Sequence, residues 1–194
     1  MVKKIPENDG SAKGRFNPFP GLRPFTPEES DLFFGREGQS GEVLNKLKAN
    51  RFVTVIGASG SGKSSLIYCG VIPHLVESEG IQTGQWQVVN MRPGNDPLGN
   101  LSDMIADRLI RDKNNEIDRS VTDTIIRQDE KGLVNAVNKL FETRDRKLLI
   151  LVDQFEELFR YRSATKSNVT EKDAKYFVNL LVNAVKDTSS GISV

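Results

Sequence analysis

The chain has 194 residues, 37% of them hydrophobic, with 27 Lys+Arg against 26 Asp+Glu and a formal net charge of +1. That length suits one α/β domain with its own core, and the balanced charge gives no footing for a general nucleic-acid or acidic-membrane binder. One cysteine, Cys69, excludes an intramolecular disulfide, and no apolar run reaches a membrane span, so a reducing, cytoplasmic location is expected.

Residues 1–17, MVKKIPENDGSAKGRFN, are polar and aperiodic and read as a disordered tail. NPFPGLRPF holds three prolines in nine residues, which predicts extended chain. In TPEESDLFF, Thr26 can cap a helix, Pro27 suits its first position and Glu29 completes a capping box. A second helix is expected over about 37–49, with Val43, Leu44 and Leu47 on one face, so that 18–50 forms an N-terminal extension.

The remaining 51–194 alternate strands with helices, the pattern of a parallel sheet. RFVTVI, 51–56, is β-branched and apolar enough for a strand buried on both faces. The helix after it runs from about Lys63 to Cys69 and is expected to end before Pro73. WQVVNM (86–91) reads as a second strand, and Arg92 at its end has two readings, an approach to the nucleotide edge or, the favoured one, a turn contact. Asp96 then caps a helix whose stripe is Leu98, Leu101, Ile105 and Leu109, and 112–120 reads as a surface connection. Leu133, Val137, Leu140 and Phe141 make another stripe, and KLLILVD (147–153) is a third buried strand. Thr170 caps a last helix with Asp173 in the box position and Phe177, Leu180, Leu181, Ala184 and Val185 inward. GISV reads as the beginning of a fourth strand.

Two motifs carry chemistry. Gly57-Ala58-Ser59-Gly60-Ser61-Gly62-Lys63-Ser64-Ser65 fits the P-loop pattern between a strand and a helix. Its glycines allow positive φ, so successive N–H groups can face one concavity, and the helix start adds positive partial charge. Lys63 can reach the β- and γ-phosphates, and the Ser64 hydroxyl can ligate Mg²⁺. LLILVDQFEELF supplies the second motif, ending a strand in Asp153, the natural second holder of Mg²⁺. Gln154 stands where many ATP-hydrolysing P-loop enzymes carry glutamate. Glu156 and Glu157 follow, diverging by about 100° if helical. At most one of them can face a γ-phosphate and orient water; the other becomes a solvent or inter-helix contact.

FPGLRPFTPEESDLFFGRE, VIGASGSGKSSLIYCGVIPHL, WQVVNMRPGNDPLGNL and LLILVDQFEELFR together resemble, in order, the blocks of the novel STAND NTPases. The resemblance implies a three-layer P-loop fold of the AAA/STAND type, an ATP- and Mg²⁺-dependent signalling switch, and association with WD40-type or other repeats. It also implies that Phe34, Gly35 and Arg36 line the adenine pocket, and the similar NACHT arrangement carries the water-orienting role to Glu157. In that lineage the sheet order is 5-1-4-3-2, and the fourth strand is represented here only by Ile192, Ser193 and Val194. The sheet is therefore expected to be incomplete, the chain to self-associate or recruit protein partners, and hydrolysis to be weak. The competing expectation is a non-catalytic interaction module that keeps nucleotide as a structural ligand.

Overall fold

The structure, a computed structural model, describes residues 21, 23–78, 86–113, 119–140, 147–162 and 170–194. The tail expected over 1–17 lies outside these residues, as do Phe141 and most of the connection expected over 112–120.

A short 3-10 helix, Pro27–Leu32, follows Thr26, whose N–H donates to Glu29 Oε2 at 2.9 Å. Arg23 grips the same carboxylate in bidentate fashion at 2.7 and 2.6 Å. Helix α1, Glu37–Asn50, ends at Arg51 in the left-handed region (φ 57°). The Arg51 guanidinium donates to the carbonyls of Val185 and Asp187, where its charge complements the end of the last helix.

Helix α2 opens as α over Lys63–Ser65, continues as π over Leu66–Val71 and returns to α over Ile72–Ser78. It does not stop before Pro73 as the sequence predicts. The wider π turn immediately upstream displaces the carbonyl that a proline ring meets in a regular helix, and the missing N–H falls where the ladder is already broken. The N-terminal segment packs on this helix: Phe25 N–H donates to Ser65 Oγ (3.1 Å), and the Cys69 thiol donates to Thr26 O (3.1 Å).

Strand β1 is Trp86–Met91. Helix α3, Pro97–Lys113, starts at Asp96, whose Oδ1 accepts from Gly99 N–H (3.0 Å). Helix α4, Arg119–Gln128, has no counterpart in the sequence reading. Its β-branched run (Val121, Thr122, Thr124, Ile125, Ile126) has poor intrinsic helix propensity, and burial of Thr122 and Ile126 overrides it. Helix α5 is Gly132–Leu140, β2 Lys147–Val152, α6 Glu157–Arg162, α7 Glu171–Lys186 and β3 Ile192–Ser193. The capping box of α7 forms as expected, with Thr170 Oγ1 accepting from Asp173 N–H (3.1 Å) and Asp173 Oδ2 accepting from Thr170 N–H (3.0 Å).

The strands form a parallel sheet in the order β1-β2-β3, with Met91 opposite Val152 and Leu148 opposite Ile192. Alternate residues enter separate cores. Val89, Met91, Leu148, Ile150 and Ile192 join a cluster with Leu101, Ile126, Val137 and Phe177 from the helices. Leu149 instead packs with Leu47 of α1 and Leu75 of α2. Full burial of a side chain such as Phe177 is worth about 1.5–3 kcal/mol, so the first cluster dominates stability.

The segment expected as a strand over 51–56 is corrected. Only its start is paired: Val194 N–H donates to Arg51 O (2.8 Å), and Val53 N–H donates to Val194 O (2.9 Å). This places the segment beside β3, on the far side from β2. Among the described residues the segment makes no further rung beyond Val53, and a cavity of about 250 Å³ is lined by Thr54 and Val55 together with Leu151 and Val152. Residues 52–58 consequently form no regular strand, and instead of being buried on both faces Phe52 is 41% and Ile56 87% exposed.

Candidate functional site

One end of that cavity is chemically distinct. Lys63, Ser64 and Asp153 line it together, although they come from the glycine loop and from the end of β2. Gly60 and Gly62 hold φ of 75° and 80°, the left-handed geometry that the loop's sharp path requires. Lys63 Nζ donates to the carbonyls of Gly57 (2.9 Å) and Ala58 (3.0 Å), so the ammonium curls over its own loop. Ser61 N–H donates to Ala58 O (3.2 Å), while Ser59 sits at the exposed tip. Ser65 is buried, and its hydroxyl faces Phe25.

Asp153 joins the two halves. Its Oδ1 accepts from Ser64 Oγ (3.4 Å) and Gln154 N–H (3.1 Å), and its Oδ2 from Arg92 (3.3 Å). Gln154 takes φ 55°, a left-handed turn that bends the chain away at the end of β2. Tyr68 lies close by on α2; burial, with the Asp153 charge as the second cause, raises its phenol pKa, and its oxygen accepts from Asn90 Nδ2 (2.8 Å).

The FFGRE stretch reaches the loop through one residue. Gly35 is left-handed (φ 85°), and Arg36 donates from its guanidinium to Ser61 O (2.9 Å). A Cβ on Gly62 would come within 3.1 Å of that guanidinium, so the loop is shaped to admit it. Phe34 is 79% exposed. The two glutamates diverge: Glu156 lines the cavity, whereas Glu157 Oε2 accepts from Gly94 N–H (3.0 Å) on the loop after β1.

Residues 18–194 match the Novel STAND NTPase 1 family. The chain belongs to that family. No curated protein and no solved structure matches it. Within this novel STAND NTPase, the glycine loop and the strand-end aspartate converge although Ser64 and Asp153 stand 89 positions apart. The Ser64 hydroxyl and Asp153 carboxylate are hard oxygen donors of the kind Mg²⁺ takes. Among the described residues no group of three or more His, Cys, Asp or Glu could hold a metal, so Mg²⁺ here would depend on phosphate oxygens and water for its other ligands. No helix among those residues is long and apolar enough to cross a membrane.

For Arg92 the sequence reading favours a turn contact over an approach to the nucleotide edge, and the structure brings it to Asp153. The signal lies in strand register: with Met91 opposite Val152, the next residues, Arg92 and Asp153, become neighbours at the sheet's C-terminal edge.

Proposed function

We propose that this chain is the ATP-binding P-loop module of a STAND-type, cytoplasmic signalling switch, in which Mg²⁺·ADP or Mg²⁺·ATP sets the conformation presented to protein partners. The observation that carries the reading is the shared cavity of Lys63, Ser64 and Asp153, with Ser64 Oγ 3.4 Å from Asp153 Oδ1. In this reading the loop amides of 57–65 and the Lys63 ammonium bind the phosphates, after Lys63 exchanges its two carbonyl partners for phosphate oxygens. Ser64 and Asp153 would hold Mg²⁺, which when bound neutralises charge between the phosphates. Of the two glutamates, Glu156 has the better claim to orient water, because it lines the cavity and Glu157 is engaged elsewhere. Phe34, Gly35 and Arg36 form the base side, and Arg36 couples it to the loop through Ser61.

The test is binding of ATP and GTP with and without Mg²⁺, together with phosphate release. Wild type is expected to prefer ATP, Lys63→Ala to lose binding, and Glu156→Gln to bind normally while releasing phosphate more slowly. Equal affinity in wild type and Lys63→Ala refutes the site. A non-catalytic module is the second reading, favoured by Gln154 in the position after Asp153 and by the occupied Glu157. Nucleotide binding without measurable phosphate release in any variant would establish it.

A further inference from the structure

The loop after β1 is held from two sides. Glu157 Oε2 accepts from Gly94 N–H at 3.0 Å, and Asn100 Nδ2 on α3 donates to the carbonyls of Arg92 (3.3 Å) and Pro93 (3.0 Å). Gly94 sits at φ 57°, and a Cβ there would meet Asn100 Nδ2 at 2.9 Å, so the loop's path is set for glycine. These ties deliver the Arg92 guanidinium to Asp153 Oδ2. Arg92 comes from outside the nucleotide cavity, lining with Tyr68 and Asn90 a second, polar cleft of about 540 Å³. Among the described residues the other two hydrogen bonds to the Asp153 carboxylate, from Ser64 and Gln154, both fall on Oδ1. A carboxylate turns easily about its terminal torsion. Here one oxygen is fixed toward the P-loop serine because the other is held by arginine.

We infer that Glu157 and Arg92 are positioning residues: Glu157 holds the Arg92–Gly94 loop, and Arg92 holds Asp153 so that Oδ1 faces the metal site shared with Ser64. This rests on the Mg²⁺-nucleotide reading of the site. Competition between the guanidinium and Mg²⁺ for the carboxylate is the opposing effect. It is the weaker one, because the Arg92 side chain is 58% exposed and its charge is screened. Glutamine distinguishes positioning from water orientation. Its amide oxygen can accept the Gly94 hydrogen bond as the carboxylate does, but it cannot act as a base.

The experiment titrates a fluorescent ATP analogue into the 194-residue chain over a range of Mg²⁺ concentrations and follows phosphate release in parallel. Arg92→Ala and Glu157→Ala are each expected to raise the Mg²⁺ concentration for half-maximal binding by about 10-fold, the low end for an outer partner because Arg92 is exposed. Their Mg²⁺-free affinities stay at the wild-type value, and the double variant is no worse than Arg92→Ala alone. Glu157→Gln behaves as wild type in Mg²⁺ dependence and phosphate release. Should Glu157→Ala fail to fold, Asn100→Ala removes the other tie and is expected to shift the Mg²⁺ requirement in the same direction. A Glu157→Gln chain with normal Mg²⁺ dependence but phosphate release cut tenfold or more overturns the positioning role and returns the residue to water. A lowered Mg²⁺ requirement in Arg92→Ala overturns it in favour of competition. A wild-type chain that binds no nucleotide defeats the site reading and this inference together, whereas nucleotide binding with an unmoved Mg²⁺ requirement in Arg92→Ala defeats the inference alone.

Discussion

Gly70 lies in the π stretch of α2 and is buried against α1. A Cβ at this position would come 2.1 Å from Ser40 Oγ, 3.2 Å from Ser40 Cβ and 3.5 Å from Phe33 Cε1. Ser40 is itself buried, and its hydroxyl donates to Arg36 O at 3.2 Å. To admit the methyl group, Ser40 must swing away and lose that bond, at a cost of about 1 kcal/mol. The backbones must also part by a few tenths of an ångström, an overpacking penalty of at least ~1 kcal/mol. Alanine recovers up to about 1 kcal/mol through its better helix propensity. Gly70→Ala is therefore expected to destabilise the chain by about 1–2 kcal/mol. In a Ser40→Ala background the 2.1 Å obstacle is gone and the same change becomes nearly neutral. The coupling of about 1 kcal/mol exceeds the scatter of independent sites and is readable by urea unfolding of the four chains. An equal cost in both backgrounds would refute the reasoning. Because α1 begins directly after Arg36, the single variant should also weaken the contact of that arginine with Ser61.

Two further outcomes follow from local chemistry. Thr170→Ala removes the cap of α7 and is expected to cost about 1 kcal/mol, seen as a fall in Tm of about 2–4 °C; Thr170→Asp should restore most of it. The Arg23 guanidinium, followed by the Thr26 N–H, holds the Glu29 carboxyl down to about 2, from an ordinary 4.5. Its folded pKa is depressed, so the tie is fully present above about pH 4.5 and is lost as pH falls through about 2. An NMR titration of the Glu29 carboxyl carbon should have its midpoint there and move upward in Arg23→Ala; an ordinary midpoint in wild type would contradict the contact.

What could be read from the sequence was what local rules control. The caps at Asp96 and Thr170 and the runs WQVVNM and KLLILV depend on residues next to one another in the chain, and they formed as expected. The left-handed glycines of the 57–65 loop are likewise written in the loop itself. Pairing is non-local, and there the reading diverged. RFVTVI has strand composition, but among the described residues no rung to a neighbour forms beyond Val53, so apolar content alone did not make it a buried strand. Arg92 and Glu157 show the same limit: the first is placed by register with β2, the second by a loop 63 residues away. Pro73 was misread because proline ends an α-helix, whereas a π turn upstream accommodates it.

The most direct test of the central claim is a double-mutant cycle on Mg²⁺-dependent nucleotide affinity, using Ser64→Ala, Asp153→Asn and their combination. If one metal-nucleotide is shared by the two side chains, each single change abolishes most of the Mg²⁺ enhancement and the double variant is no worse than the poorer single. Mg²⁺-free affinity stays constant throughout. Additive losses, or an Mg²⁺ enhancement that survives in Asp153→Asn, would show that serine and aspartate serve different ligands.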